Sequence, residues 1–256
     1  MRTIKLTIAY DGTDYVGWQR QPNGVSVQGR LEAAIEKMTG AHRAVVGAGR
    51  TDAGVHALGQ VAHCIVPKSI PLAAFVAGLT SLLPPDIAVL AAAEAPEGFH
   101  ARKDAKGKVY RYRLLEGVRR APLLQHRCWQ IPEMLDLAAM RRAAECLVGR
   151  HDFASFRAAG CGSRDAVRRI DRLEVVRAPC HADPLWGDQS GRLIDIECEG
   201  DGFVRHMIRN IVGTLVDVGR GDLSWGAMQG ILAAKERTQA GRCAPACGLY
   251  LRSVIS

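Results

Sequence analysis

The sequence predicts two α+β units in tandem, each of the ferredoxin-like or RNA-recognition-motif-like (RRM-like) kind with a mixed, mainly antiparallel sheet. Three observations carry this prediction. Apolar runs of period two and period 3.6 follow one another in the order β-α-β-β-α-β, a similar order recurs in the second half, and the composition turns polar and basic between Lys103 and Gly107. The expected domains are therefore 1–105 and 106–256.

Ile4 to Tyr10 reads as the first strand. Val27 to Met38 has apolar residues at helical spacing, with Ser26 placed to cap its start and Gly40 to stop it. Ala44 to Ala48 and Val55 to Val66 read as strands, and Pro71 to Leu83 as an apolar helix closed by Pro84-Pro85. Ile87 to Ala93 completes the first unit. In the second, Val109 to Leu115 is a strand, Pro132 to Leu147 a helix, and Ile170 to Arg177 and Arg192 to Glu199 are strands. Helices are expected over Phe203 to Val218 and Trp225 to Lys235, with Leu249 to Ile255 as the last strand. The stretches Gly160 to Ser163 and Pro179 to Gly191 read as insertions. Two such sheets can join edge to edge or face each other across a cleft. Either arrangement lets the loop at Gly47 to His56 and the helix at Phe203 to Val218 approach from different halves, so a cleft between the units is where a site is expected.

Composition narrows the function. The chain has 34 Lys plus Arg against 26 Asp plus Glu, a formal net charge of +8, which attracts polyanions. The cations cluster: Arg102, Lys103, Lys106, Lys108, Arg111, Arg113, Arg119 and Arg120 in one stretch, Arg157, Arg164, Arg168, Arg169 and Arg172 in another. These are candidate phosphate contacts. The opening residues lack a signal-peptide core and no window approaches the ~18 apolar residues of a membrane span, so a cytoplasmic protein without a membrane partner is expected. Its eight cysteines are scattered through apolar runs, as buried free thiols would be. Only Cys243-Ala-Pro-Ala-Cys247 and the pair Cys180-His181 hint at a metal, and nothing joins the two clusters in sequence, so none is expected.

The decapeptide Gly47-Ala48-Gly49-Arg50-Thr51-Asp52-Ala53-Gly54-Val55-His56 presents Asp52 near the tip of a glycine-rich turn. It is not a dinucleotide fingerprint. G-x-G-x-x-G needs glycine where Asp52 stands, and a carboxylate there repels a pyrophosphate, so no nucleotide cofactor is expected. An isolated Asp in such a turn most often only bonds backbone amides. Here Arg50 and His56 flank it, and both can hold an ionised carboxylate or contact an anionic ligand.

This stretch resembles the signature of the tRNA pseudouridine synthase A family, whose essential aspartate aligns with Asp52. Further similar motifs run the length of the chain: Tyr10-Asp11-Gly12-Thr13, Gly17-Trp18-Gln19-Arg20-Gln21, Ser26-Val27-Gln28, Phe99-His100-Ala101-Arg102, Tyr110-Arg111-Tyr112, Asp152 to Arg157, Phe203 to Gly213 and Ala244 to Tyr250. Two positions depart from the family pattern: Arg205 stands in place of histidine and Cys243 in place of threonine. The resemblance implies the pseudouridine synthase fold, a tRNA substrate modified at nucleotides 38, 39 and 40 of the anticodon stem-loop, no cofactor, and a homodimer.

On the strand from Lys106 to Leu115, alternation puts Lys108, Tyr110 and Tyr112 on one face and Val109, Arg111 and Arg113 on the other. An aromatic on a basic strand can stack on an unpaired base, although one of the two tyrosines is expected to be a core residue. The resemblance makes Tyr110 the substrate-facing one. On the helix from Phe203, residues Val204, Ile208, Ile211, Leu215 and Val218 form the apolar stripe, and Arg205 and Arg209 share a neighbouring face. By resemblance Arg209 lies by the catalytic aspartate. Charge and length suit Arg50 to the extrusion of the target base, and the basic stretch with Arg157, Arg164 and Arg168 is expected to follow the phosphates. A non-catalytic RNA-binding protein with two RRM-like modules fits the same fold and charge, as does, more distantly, an α/β enzyme with a thiol or metal site at Cys243 and Cys247. A reacting Asp52 separates the first reading from both.

Overall fold

The structure is a computed structural model that describes residues 1–162, 165–178 and 192–256. Arg164, the Cys180-His181 pair and the insertion 179–191 lie outside the described residues. Its contacts divide the chain into Met1–Lys108 together with Tyr250–Ser256, and Val109–Leu249.

The first unit begins with β1 (Arg2–Tyr10), whose alternating burial places Ile4, Leu6, Ile8 and Tyr10 in the core. Helix α1 (Val27–Thr39) forms where the sequence places it: the Ser26 hydroxyl accepts from Gly29 N, and Gly40 ends the helix in the left-handed region with φ 72°. Strands β2 (Val46–Gly47) and β3 (His56–Val66) follow, then α2 (Ala73–Leu82) and β4 (Ile87–Ala95). Pro71 stands before α2, in a turn in which its carbonyl accepts from Ala74 N at 3.1 Å. β1 pairs antiparallel with β3 and β4, and β2 pairs antiparallel with β3. The last strand, β10 (Leu249–Ile255), returns to this unit and runs parallel to β3, with Tyr250 opposite His56 and Leu251 opposite Ala57. Sequence order assigns that strand to the second half, but hydrogen-bond pairing, which periodicity cannot read, joins it to the first.

The second unit holds β5 (Gly107–Glu116), β6 (Trp129–Ile131), α3 (Leu137–Glu145), β7 (Gly149–Asp152), β8 (Val167–Arg177), β9 (Arg192–Gly200), α4 (Met207–Arg220) and α5 (Ala227–Ala234). Its sheet runs β5-β9-β8-β7, with β6 parallel to β5. β8 is antiparallel to both β9 and β7, and α3 packs on α4 and β8. Both units are α+β and their sheets are mixed and mainly antiparallel, as expected.

Two helix starts lie a full turn or more beyond the sequence reading. The helix expected from Pro132 begins at Leu137, because the Asp136 carboxylate accepts from Ala138 N and Ala139 N at 2.9 and 3.0 Å and fixes the first turn there. The helix expected from Phe203 begins at Met207, because His206 adopts φ 63° and interrupts the helical run. Arg205 therefore precedes α4 and does not share a helical face with Arg209. Among the described residues no helix is long and apolar enough to cross a membrane.

Candidate active site

In the first unit, the loop carrying Asp52 leaves the sheet after β2 and returns to it at β3. Ala48 N donates to Val61 O at 2.7 Å, and the fully buried Gln60 donates through Nε2 to Gly49 O at 2.9 Å. Trp18 N donates to Thr51 O at 3.1 Å, and the Thr51 hydroxyl bonds the Tyr10 hydroxyl at 2.7 Å. Beyond Asp52 the chain reverses in a four-residue turn closed by Val55 N to Asp52 O at 3.1 Å, with Gly54 at φ 75°, a conformation glycine adopts without strain. The backbone on both sides of Asp52 is thus hydrogen-bonded to buried groups. Its side chain is half-buried, and Arg50 beside it is exposed. Burial pushes the Tyr10 phenol up to about 12, so it remains a neutral prop under the loop.

His56 is enclosed, with 2% of its surface exposed. Its Nδ1 accepts from Gly12 N at 3.0 Å and stands 3.0 Å from Asp11 Oδ1, and its ring stacks on Tyr250 at 4.8 Å. The Asp11 carboxylate also accepts from Thr13 N and Thr13 Oγ1, at 3.1 and 2.6 Å. The motif Tyr10-Asp11-Gly12-Thr13 therefore supports the start of β3 at His56.

The second unit places the other candidates. Tyr110 on β5 is 8% exposed, and its ring meets Phe203 edge-on at 5.2 Å. Tyr112 is completely buried and its hydroxyl donates to Pro245 O at 2.7 Å, so both tyrosines are core residues where one was expected. In the first turn of α4, Arg209 Nε donates to Ala244 O at 2.7 Å, while Ala244 N donates to Arg209 O at 3.1 Å. The half-buried Arg209 is thereby held by the segment that precedes β10. Arg205 is exposed and Arg157 half-buried, and Arg168 bonds Asp165 Oδ1 at 3.0 Å.

Several cations counted in the sequence are already engaged by carboxylates of β9. Arg111 bonds Glu197 at 2.8 Å and Arg113 bonds Asp195 at 2.8 Å, while Arg172 lies 3.6 Å from Glu197 and 3.7 Å from Glu199. Counting charge along the sequence overstates the positive field of these strands, because β9 supplies the compensation from far away in the chain. Spacing also gave no sign of the supports under the Asp52 loop, Tyr10, Trp18 and Gln60. A period-two pattern marks a buried strand residue without saying which loop it props. A hollow of about 570 Å³ in the second unit is lined by Arg119, Arg120, Trp129, Cys128 and Cys247 among others, and Tyr110, Arg157, Arg205 and Arg209 are not among its lining residues. Burial pushes the Cys128 thiol up to about 12 and raises that of Cys247, the opposite of what a metal thiolate requires. Among the described residues no group of three His, Cys, Asp or Glu is placed to hold a metal ion.

Fold and loop together define an α+β protein of positive net charge that presents a carboxylate from a rigidly braced turn. The family model described as tRNA pseudouridine synthase matches residues 6–103 and 143–255, and the chain belongs to that family. It is 47% identical to the tRNA pseudouridine synthase A of Syntrophotalea carbinolica over 99% of this chain and 96% of the relative. It is 47% identical to that of Myxococcus xanthus, over 100% and 92%, and 46% identical to that of Geobacter sulfurreducens, over 99% of each. A chain from a crystal structure of a Cbf5-Nop10-Gar1 complex aligns with 83% of this chain and 45% of its own length, at 14% identity and a TM-score of 0.34, too slight a likeness to carry an argument.

Proposed function

We propose that this protein isomerises uridine to pseudouridine in tRNA, at nucleotides 38, 39 and 40 of the anticodon stem-loop, with Asp52 as the central carboxylate. The observation that carries the reading is the bracing of Asp52. Trp18 and Gln60 hold the loop's backbone and Tyr10 holds the Thr51 hydroxyl, while the carboxylate stays half-exposed beside the exposed Arg50. Such an arrangement suits a group that must meet a macromolecular substrate in a fixed orientation.

The reaction breaks the bond between ribose C1′ and N1 of uracil, rotates the base, and joins C1′ to C5. C5 loses its proton, N1 gains one, and the product is an isomer of the substrate, so no cofactor is required. Asp52 serves either by attacking C1′ or by removing a ribose proton and stabilising the cationic sugar. Arg50 enters the stack as the target nucleotide is extruded. Tyr110 faces the base and assists loss of the C5 proton, and Arg209 keeps the carboxylate ionised and oriented. Arg157, Arg164, Arg168 and Arg205 follow the phosphates, and His56, enclosed between Tyr250 and Asp11, positions the end of the loop. A homodimer in the cytoplasm, with one tRNA spanning both subunits, completes the reading.

The test follows tritium release from C5-labelled uridine in tRNA. Asp52→Ala is expected to abolish release while tRNA affinity stays within about threefold of the parent. Turnover surviving in that variant would overturn the assignment, and a map of pseudouridines in tRNA from cells lacking the protein checks the positions.

A further inference from the structure

A cation sits against the Asp52 loop in the first unit, and no carboxylate among the described residues neutralises it. Lys108, at the start of β5, is half-buried, and its aliphatic stem lies across Gly49, the residue just before Arg50. A β carbon added to Gly49 would come within 2.8 Å of Lys108 Cε, so glycine is what lets the lysine lie there. The turn carrying Phe99-His100-Ala101-Arg102 stands alongside and is closely hydrogen-bonded. Ala101 N donates to the buried His63 Nδ1 at 3.1 Å, Arg102 N and Lys103 N donate to His100 Nδ1, and His100 N donates to Asp104 Oδ2 at 2.8 Å. Burial, and after it the charge of the exposed Arg102 on this turn, hold the Lys108 ammonium below the usual lysine range.

Burying a cation beside another cation is costly unless an anion completes the arrangement. Arg111 and Arg113 on the same strand are matched by Glu197 and Asp195, as Lys108 is not. The strand thus carries three cations, Lys108 left for something outside the chain and the other two compensated within it.

We propose that Lys108, seated on Gly49, binds a backbone phosphate of the RNA strand that delivers the target uridine to Asp52. The proposal rests on the reading of Asp52 as the reacting carboxylate. Lys108 is a positioning residue, since it fixes the strand and leaves the reacting atoms to others.

The experiment measures tRNA affinity of the full-length protein as a function of salt, with thermal unfolding and single-turnover rates alongside. One lost phosphate contact lowers the slope of log affinity against log salt by about 0.7 to 0.9. Lys108→Met is expected to show that loss and to weaken binding about tenfold at low salt, with an unchanged melting temperature, and Lys108→Arg to restore most of both. Gly49→Ala, which displaces the lysine without removing it, is expected to reproduce the loss of slope. A parental slope and affinity in Lys108→Met would overturn the proposal, as would a drop in melting temperature without a change of slope. Binding is read independently of turnover. If Asp52→Ala still turned over while Lys108→Met lost its slope, the catalytic reading would fail and the phosphate seat would stand.

Discussion

Tyr110 and Tyr112 are two residues apart on one strand face, and sequence alternation gives them the same environment. Contacts separate them. Tyr112 has no exposed surface and spends its hydroxyl on Pro245 O, whereas Tyr110 meets Phe203 edge-on and keeps 8% of its surface exposed. If the Tyr110 hydroxyl assists loss of the C5 proton, Tyr110→Phe should lower single-turnover rates by roughly a hundredfold, a usual contribution for a general acid or base. Its tRNA affinity should remain near the parent value because the ring stays. Near-normal turnover would reduce Tyr110 to a stacking surface. At this scale the sequence names the functional residue types well, since glycine, carboxylate and arginine stand in one short stretch. It does not reveal which cations have partners, because the compensating carboxylates of Arg111 and Arg113 lie far along the chain.

Secondary-structure elements were legible where local chemistry sets their limits. Ser26 and Gly40 delimit α1 within a residue of the expected span, because a cap is a contact between near neighbours. β6 and β7, of three and four residues, are too short for alternation to register, and the start of α4 depends on a positive φ at His206 that its identity does not require. The start of α3 depends on a distant group as well as on its cap. Glu116, at the end of β5, has no exposed surface; it accepts from Leu135 N at 2.8 Å and from Arg177 Nη1 at 2.7 Å, and so anchors the chain entering α3. Glu116→Ala would leave Leu135 N without its acceptor while the half-exposed Arg177 turns to water, a loss of about 2 kcal/mol. Urea unfolding followed by circular dichroism checks it, and a loss under about 1 kcal/mol would mean that the chain before α3 re-forms its contacts without the carboxylate.

Over the whole molecule, stability should depend on pH through His63. This buried imidazole accepts Ala101 N–H on Nδ1 and so must be neutral there. Burial, with a smaller contribution from His100, lowers its pKa from the ordinary 6.5. As pH falls through 6.5 the unfolded chain takes up a proton that the folded one refuses, so His63's contribution is full above 6.5 and shrinks as pH descends toward the depressed value. Melting temperature should therefore fall as pH drops below 6.5, and His63→Asn should flatten that part of the curve. An equal slope in both proteins would remove His63 as the cause. The tandem α+β plan was legible from the order of periodicities, whereas the membership of the last strand was not, since parallel pairing leaves no mark on the strand that joins.

That pairing has a consequence in time. Tyr250 stacks on His56 and β10 lies against β3, so the loop bearing Asp52 leaves the ribosome well before the strand that pairs beside it. Translation itself becomes the clock for the site. A nascent chain carries the aspartate long before it carries Tyr250, and until then His56 lacks its stacking partner.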